Sequence, residues 1–345
     1  MHTLRAIPLL RLGFALGLVS GSVCAAERVP VLLGPQTDDV WVYTFGQGAL
    51  ASVAPTYSSV FGDEFPDRFG TFFLTFDAEG LLSDGTRPVR LSSMTLRLTM
   101  LNSSSFDEND GVTYDPTYDG VDTYLDPALD TDPGRPMELY GVGYRNGFDL
   151  DSWRAAHFPV TGADGYNAIP IDFPSGSTQG RDVSNSVISG FETEPLAIGT
   201  TTDLLTASDG TQRVRDLARF TFAMDTLSDG AKANFTAQLH AGAVSFMVSS
   251  LQAAGFGGMG GEEIYPRWAT LETAFPVDDA ELELVLEVSP PADVNTDFSV
   301  DLEDLYAWEQ GDGLLDADGD GIVTAADRAV VLDTLRETEL SDTLP

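Results

Sequence analysis

Glu281-Leu282-Glu283-Leu284-Val285-Leu286-Glu287-Val288 is the stretch that decides the fold. Leucines and glutamates alternate with a period of two, which is the spacing of a half-buried β-strand and not of a helix. The leucines are expected on one side and most of the glutamates on the other. Working outward, the same period recurs. Leu96, Leu98 and Met100 alternate with Arg97 and Thr99; Phe72, Leu74 and Phe76 alternate with Phe73 and Thr75; Phe220 and Phe222 repeat it. Val40 to Tyr43 and Val244 to Val248 read as further strands. Gly, Asp and Ser turns separate them. Many short strands with such turns predict a mainly β chain, an antiparallel two-sheet sandwich of jelly-roll kind.

Helical signal within this body is sparse. Ser228 is placed to cap a short helix running through Leu239, with Ala231, Phe235 and Leu239 on one face. Asp149 to His157 reads as another turn or two. Residues 102–136 form a long excursion compared with ordinary connections of about 4–6 residues. They carry nine acidic side chains from Asp107 to Asp132, interleaved with Tyr114, Tyr118 and Tyr124. Two readings apply: an acidic, tyrosine-bearing loop for calcium or sugar, and a solvated insertion.

The chain has 345 residues, enough for one large domain and a small one, and 43% of them are hydrophobic, enough for a core. Its 54 acidic against 18 basic residues give a net charge of −36. Such a chain repels phosphate backbones and anionic lipid, so nucleic acid and membrane surfaces are excluded as expected partners. Residues 1–26 read as a signal peptide: Arg5 and Arg11 sit in an apolar run that ends in Val23-Cys24-Ala25-Ala26. The run is too short to span a bilayer. Acylation of Cys24 is the alternative, against which Val23 is a poor fit. With one cysteine and that one in the signal, the mature chain has no internal disulfide. The expected location is secreted, extracellular or at the cell surface. Pro290 and Pro291 close the last strand and set the expected boundary between a sandwich over 27–289 and a small domain over 290–345.

That small domain holds the sharpest chemistry. Calcium takes six to eight oxygens, which a twelve-residue loop supplies from positions 1, 3, 5, 7, 9 and 12. Asp316, Asp318, Asp320, Ile322 (by its carbonyl), Thr324 and Asp327 occupy those positions, with Gly321 at the sharp sixth position. An earlier loop keeps the same phase with Asp293, Asn295, Asp297, Ser299, Asp301 and Asp304, but has Phe298 at position 6. Two Ca2+ sites are therefore expected, the first weakened by Phe298. Val323, at position 8, is expected to point inward and pair with Val300. A helix follows each loop, the first carrying Leu302, Leu305, Tyr306 and Trp308, the second burying Val330, Val331 and Leu335.

Asp293 to Arg336 resembles a type I dockerin: a duplicated calcium loop and helix, each loop closed by aspartate. The resemblance implies a module that docks on a cohesin-like or other cell-surface protein. Positions 10 and 11, often Ser-Thr in that family, are Leu302-Glu303 and Ala325-Ala326 here, so the calcium role carries over further than the cohesin role. More loosely, Arg68 to Asp77, Met94 to Met100, Phe220 to Leu239 and Tyr265-Pro266-Arg267 resemble secreted DNRLRE-type jelly-roll modules, which implies an extracellular, polysaccharide-related setting.

No constellation in the body compels an enzyme. His157 and His240 are the only histidines beyond the signal, and neither has a His or Cys at metal spacing. No nucleophile elbow or P-loop occurs, and Gly255 to Gly261 lacks a basic residue for phosphate. The reading is a non-catalytic sandwich binding glycan or protein, with a calcium-dependent docking tail. A dockerin-bearing glycoside hydrolase and a structural surface protein are the alternatives. Trp41, Trp153 and Trp268 are either sugar-stacking or core residues.

Overall fold

A computed structural model describes residues 26–43, 52–57, 70–82, 87–101, 112–117, 135–150, 152–153, 167–184, 193–250, 252, 265–274 and 276–342. The signal region through Cys24, His157, the glycine-rich 255–261 stretch and most of the 102–136 excursion, with Tyr118 and Tyr124, lie outside them. In chain order the strands are β1 (Glu27–Leu33), β2 (Asp38–Tyr43), β3 (Val53–Pro55), β4 (Gly70–Asp77), β5 (Val89–Met100), β6 (Met137–Tyr144), β7 (Ala168–Asp172) and β8 (Arg181–Asp182). They continue with β9 (Ala197–Thr200), β10 (Leu204–Thr206), β11 (Gln212–Val214), β12 (Ala218–Met224), β13 (Ala243–Ser250), β14 (Arg267–Ala269) and β15 (Glu281–Val288). Helices are α1 (Asp229–His240), α2 (Leu302–Gln310) and α3 (Ala325–Asp342). Contacts divide the chain into one compact unit over Arg28–Val288 and another that includes Ser289–Pro345.

The first unit is mainly β, an antiparallel two-sheet sandwich. One hydrogen-bonded path runs β1-β15-β5-β12-β9-β6-β13-β4-β2, with β14 and β3 attached beside β5 and with β7 and β8 beside β6. Strand β9 joins the halves, pairing with β12 at Phe222↔Gly199 and with β6 at Glu138↔Ile198. Inward side chains come from both. Phe220↔Leu98, Phe222↔Leu96 and Leu282↔Leu96 stand in one half, Phe246↔Leu74 and Val248↔Phe72 in the other, and all are buried. Every strand expected from the periodicity forms.

Helix α1 forms as expected. The Ser228 side chain accepts from the Ala231 N–H, and Ala231, Phe235 and Leu239 are buried. Phe235 stacks on Phe246 at 5.2 Å. At the second expected helical turn, Asp149 and Ser152 cap each other, and the Trp153 N–H bonds the Asp149 carbonyl. Part of the acidic excursion is built into the sandwich: Val112 is buried, Thr113 bridges Arg213, and Tyr114 meets Phe220 edge-on at 6.4 Å.

Two departures from simple alternation have local causes. In β15 the register shifts between Val285 and Leu286, so Glu287 is carried into a nearly closed position opposite Arg90. There it accepts from Arg28 (3.1 Å), Arg90 (2.9 Å) and Ser92 (3.1 Å). Burial alone would raise this carboxyl; the three donors outweigh it and hold Glu287 below the usual glutamate range. In β4 both faces are covered, so Phe73 is as buried as Phe72 and Leu74.

Candidate metal centre

The second unit is built around two loops whose hydrogen bonds repeat at most positions. At position 1, Asp316 accepts from Gly319 N–H (2.8 Å) and Gly321 N–H (2.9 Å). Its counterpart Asp293 accepts from Asp297 N–H (3.0 Å) and Phe298 N–H (2.8 Å). At position 3, Asp318 and Asn295 each accept the N–H of position 5 at 3.0 Å. At position 5, Asp320 and Asp297 accept the N–H of Ile322 (2.7 Å) and of Ser299 (2.8 Å). These Asx turns wind the chain around the side-chain oxygens, which is what alternating Asp and Asn residues favour locally.

Position 12 closes each loop. Asp327 accepts from Ala317 and Asp318 with one oxygen, at 2.8 and 3.2 Å, and from Thr324 with the other, at 2.6 Å. Asp304 repeats this with Val294 and Asn295 at 2.7 and 3.1 Å and Asp301 at 2.8 Å. Both carboxylates are inaccessible to water, yet their titrations diverge. The Thr324 N–H leads in lowering Asp327, whereas burial leads in raising Asp304 against three N–H donors.

In the second loop, carboxylate oxygens of Asp316, Asp318 and Asp320 lie within 4.8 Å of one another. The Asp320 N–H draws the Asp318 carboxyl downward. Desolvation and repulsion from Asp320, Asp327 and Asp316 outweigh it, and the group sits above the usual aspartate range. Hard oxygen donors convergent on one point, mutually repelling, suit a hard divalent cation. In the first loop Asn295 replaces the middle acid, so less charge converges there.

The sixth position behaves as glycine chemistry requires. Gly321 has φ 83°, and Phe298 is forced to φ 71°, a left-handed conformation costly for a side chain bearing Cβ. Thr296 and Gly319 repeat the equivalence at position 4, at φ 66° and 76°. The position-9 side chains also cap helices: Asp301 accepts from Glu303 N–H at 2.7 Å and Thr324 from Ala326 N–H at 3.0 Å, at the starts of α2 and α3. Ser299 and Ile322 hold position 7, where a backbone carbonyl is the donor.

One expectation is overturned. Val300 is buried with Val294, Ala317, Val331 and Leu335, but Val323 is 53% exposed, and no bridge joins the two loops among the described residues. The small core fills from α2, α3 and the loop starts, and Val323 is left outside it. Leu305, Trp308 and Val330 pack against this core, while Leu302 (67%) and Tyr306 (68%) face solvent four residues apart on α2. Two of the three tryptophans of the body are also decided, Trp41 being half-buried. Trp268 is fully buried, with Nε1–H donating to Thr56 Oγ1 at 3.0 Å, and Trp153 is buried against Phe73 at 4.3 Å. Neither can stack on a sugar.

No family model matches this chain, and no curated protein does. Among solved structures, the VP1 pentamer of Human Polyomavirus 6 aligns over 78% of this chain and 96% of that one, at 9% identity and a TM-score of 0.22. A superposition that loose bears on neither fold family nor function. No helix among the described residues is long and apolar enough to cross a membrane.

Proposed function

We propose that this is a secreted protein in which a non-catalytic, jelly-roll-like sandwich binds glycan or protein and a calcium-loaded, dockerin-like tail attaches it to a partner at the cell surface. The observation that carries the reading is a hydrogen-bond scheme shared by two loops at positions 3, 5, 6 and 12, with carboxylate oxygens of positions 1, 3 and 5 brought together in the second. Asp316, Asp318, Asp320, the Ile322 carbonyl and Asp327 would hold one Ca2+. Asp293, Asn295, Asp297, the Ser299 carbonyl and Asp304 would hold the other. The ion supplies charge neutralisation: it cancels the repulsion that, after desolvation, raises Asp318, so metal binding and loop order are coupled. Exposed Leu302 and Tyr306 support a docking role for the α2 face.

The test is calorimetric titration of the signal-free chain with Ca2+ after chelation, followed by retention on a polysaccharide panel. Two binding events and glycan retention without sugar release are expected. Absence of any heat removes the calcium reading, and sugar release moves the sandwich to the hydrolase alternative. Phe298→Gly is expected to relieve about 1 kcal/mol of backbone strain and tighten the first site roughly fivefold. A titration unchanged by that substitution would contradict the assigned register.

A further inference from the structure

On the face of β6, β13 and β4 turned away from Phe246 and Leu74, three polar side chains form one row across three adjacent strands. Glu138 of β6 pairs directly with Ser249 of β13. Thr71 of β4 precedes Phe72, the partner of Val248, and so continues the row. Glu138 is 1% exposed. Both its carboxyl oxygens, Ser249 Oγ and Thr71 Oγ1 are closed off from solvent without a completed hydrogen bond. The next row along the strands is Phe73, Met247 and Tyr140, with Trp153 laid over Phe73.

An ionised carboxylate in such a place lacks the donors or counter-ion that could keep it there. Among the described residues, the elements around it supply no counter-ion and only one weak donor, the Tyr140 hydroxyl. Ile198 of β9 stands opposite Glu138, and the Tyr140 hydroxyl is shared with Thr193 at 2.8 Å. On the flanking β7, Asp172 is taken by Arg181. Glu194 donates its N–H to Asp172 and accepts from Ser175 N–H. A carboxylic acid, by contrast, brings its own donor to a row of hydroxyl acceptors.

We propose that the Thr71–Ser249–Glu138 row is a proton-held latch: the covered face is closed while Glu138 is a neutral acid and loosens as the pH rises. Burial pushes this carboxyl up from 4.5 to about 8, against a smaller downward pull from Tyr140. The sign follows. The closed state keeps a proton that the open state gives up above pH 4.5, so stability is full below that value and declines as pH rises toward 8.

The experiment is hydrogen exchange of the full chain from pH 5 to 9, corrected for intrinsic rate. Protection of the β4, β6 and β13 amides is expected to fall by up to about tenfold per pH unit up to pH 8 and then level off, while β5 and β15 hold. Glu138→Gln is expected to abolish that slope. Constant protection in the parent chain, or an equal fall in the variant, overturns the proposal. Should Glu138→Gln not fold, unfolding the parent at pH 7 in buffers of different ionisation heat gives the answer. Release of roughly one proton is expected, and release of none overturns the latch. Asp39, the other strongly raised buried acid, is lifted by burial to about 6 and has lost nearly all its proton at that pH.

Discussion

Asp316→Ala combined with Asp318→Ala is expected to remove one of two calcium-binding events and lower affinity at the second loop by on the order of a hundredfold or more. The two carboxylates differ in what they do. Asp316 anchors the turn through the Gly319 and Gly321 N–H groups, so its loss frees two donors and uncoils the loop. Asp318 holds only the Asp320 N–H, and it carries the repulsion from three neighbouring acids. Truncating Asp318 therefore relieves strain without the metal while removing a ligand with it. For Asp318→Ala alone the expected signature is a small change in the chelated chain and a large loss of calcium-induced order. Isothermal titration and protease resistance of the segment after Ser289, with and without Ca2+, measure both. Two undiminished binding events in the double variant would end the assignment of this loop.

Trp268→Ala is expected to destabilise the sandwich by about 3–5 kcal/mol. The indole is fully buried on β14, between Ala54 of β3 and Met100 of β5, and faces Phe220 edge-on at 5.4 Å and Phe222 at 6.0 Å. Removing it leaves a cavity where two short pairings converge. Trp268→Phe separates packing from hydrogen bonding. It keeps most of the volume but strips Thr56 Oγ1 of its donor, a loss of about 1–3 kcal/mol. Urea unfolding of the two variants gives both numbers. A loss under about 1 kcal/mol for Trp268→Ala would show that the site collapses around the gap.

Alternation in β15, β5 and β12 was legible because each strand has one face on the shared core. Alternation misled wherever the second face is also covered. Phe73 reads as an outward residue from its spacing, yet it is buried. Glu287 reads as solvated, and a register shift folds it under two arginines. In the small unit the acid spacing and the misfit of Phe298 could be read directly, because Asx turns and a positive φ are properties of a few consecutive residues. The fate of Val323 could not, since Val300 and Val323 occupy equivalent positions and only packing separates them.

By itself, then, the sequence determined the strand period, the Ser228 cap, the repeated loop and its acid spacing, all set by interactions within a turn or two of chain. Tertiary structure alone decided that β9 joins the two halves, that Trp153 and Trp268 are core, and that an uncompensated carboxyl lies beneath the β6–β13–β4 face. The reason is physical: hydrogen bonds to neighbouring residues are fixed by local geometry. Whether a face meets water depends on segments a hundred or more residues away, and no local pattern encodes that.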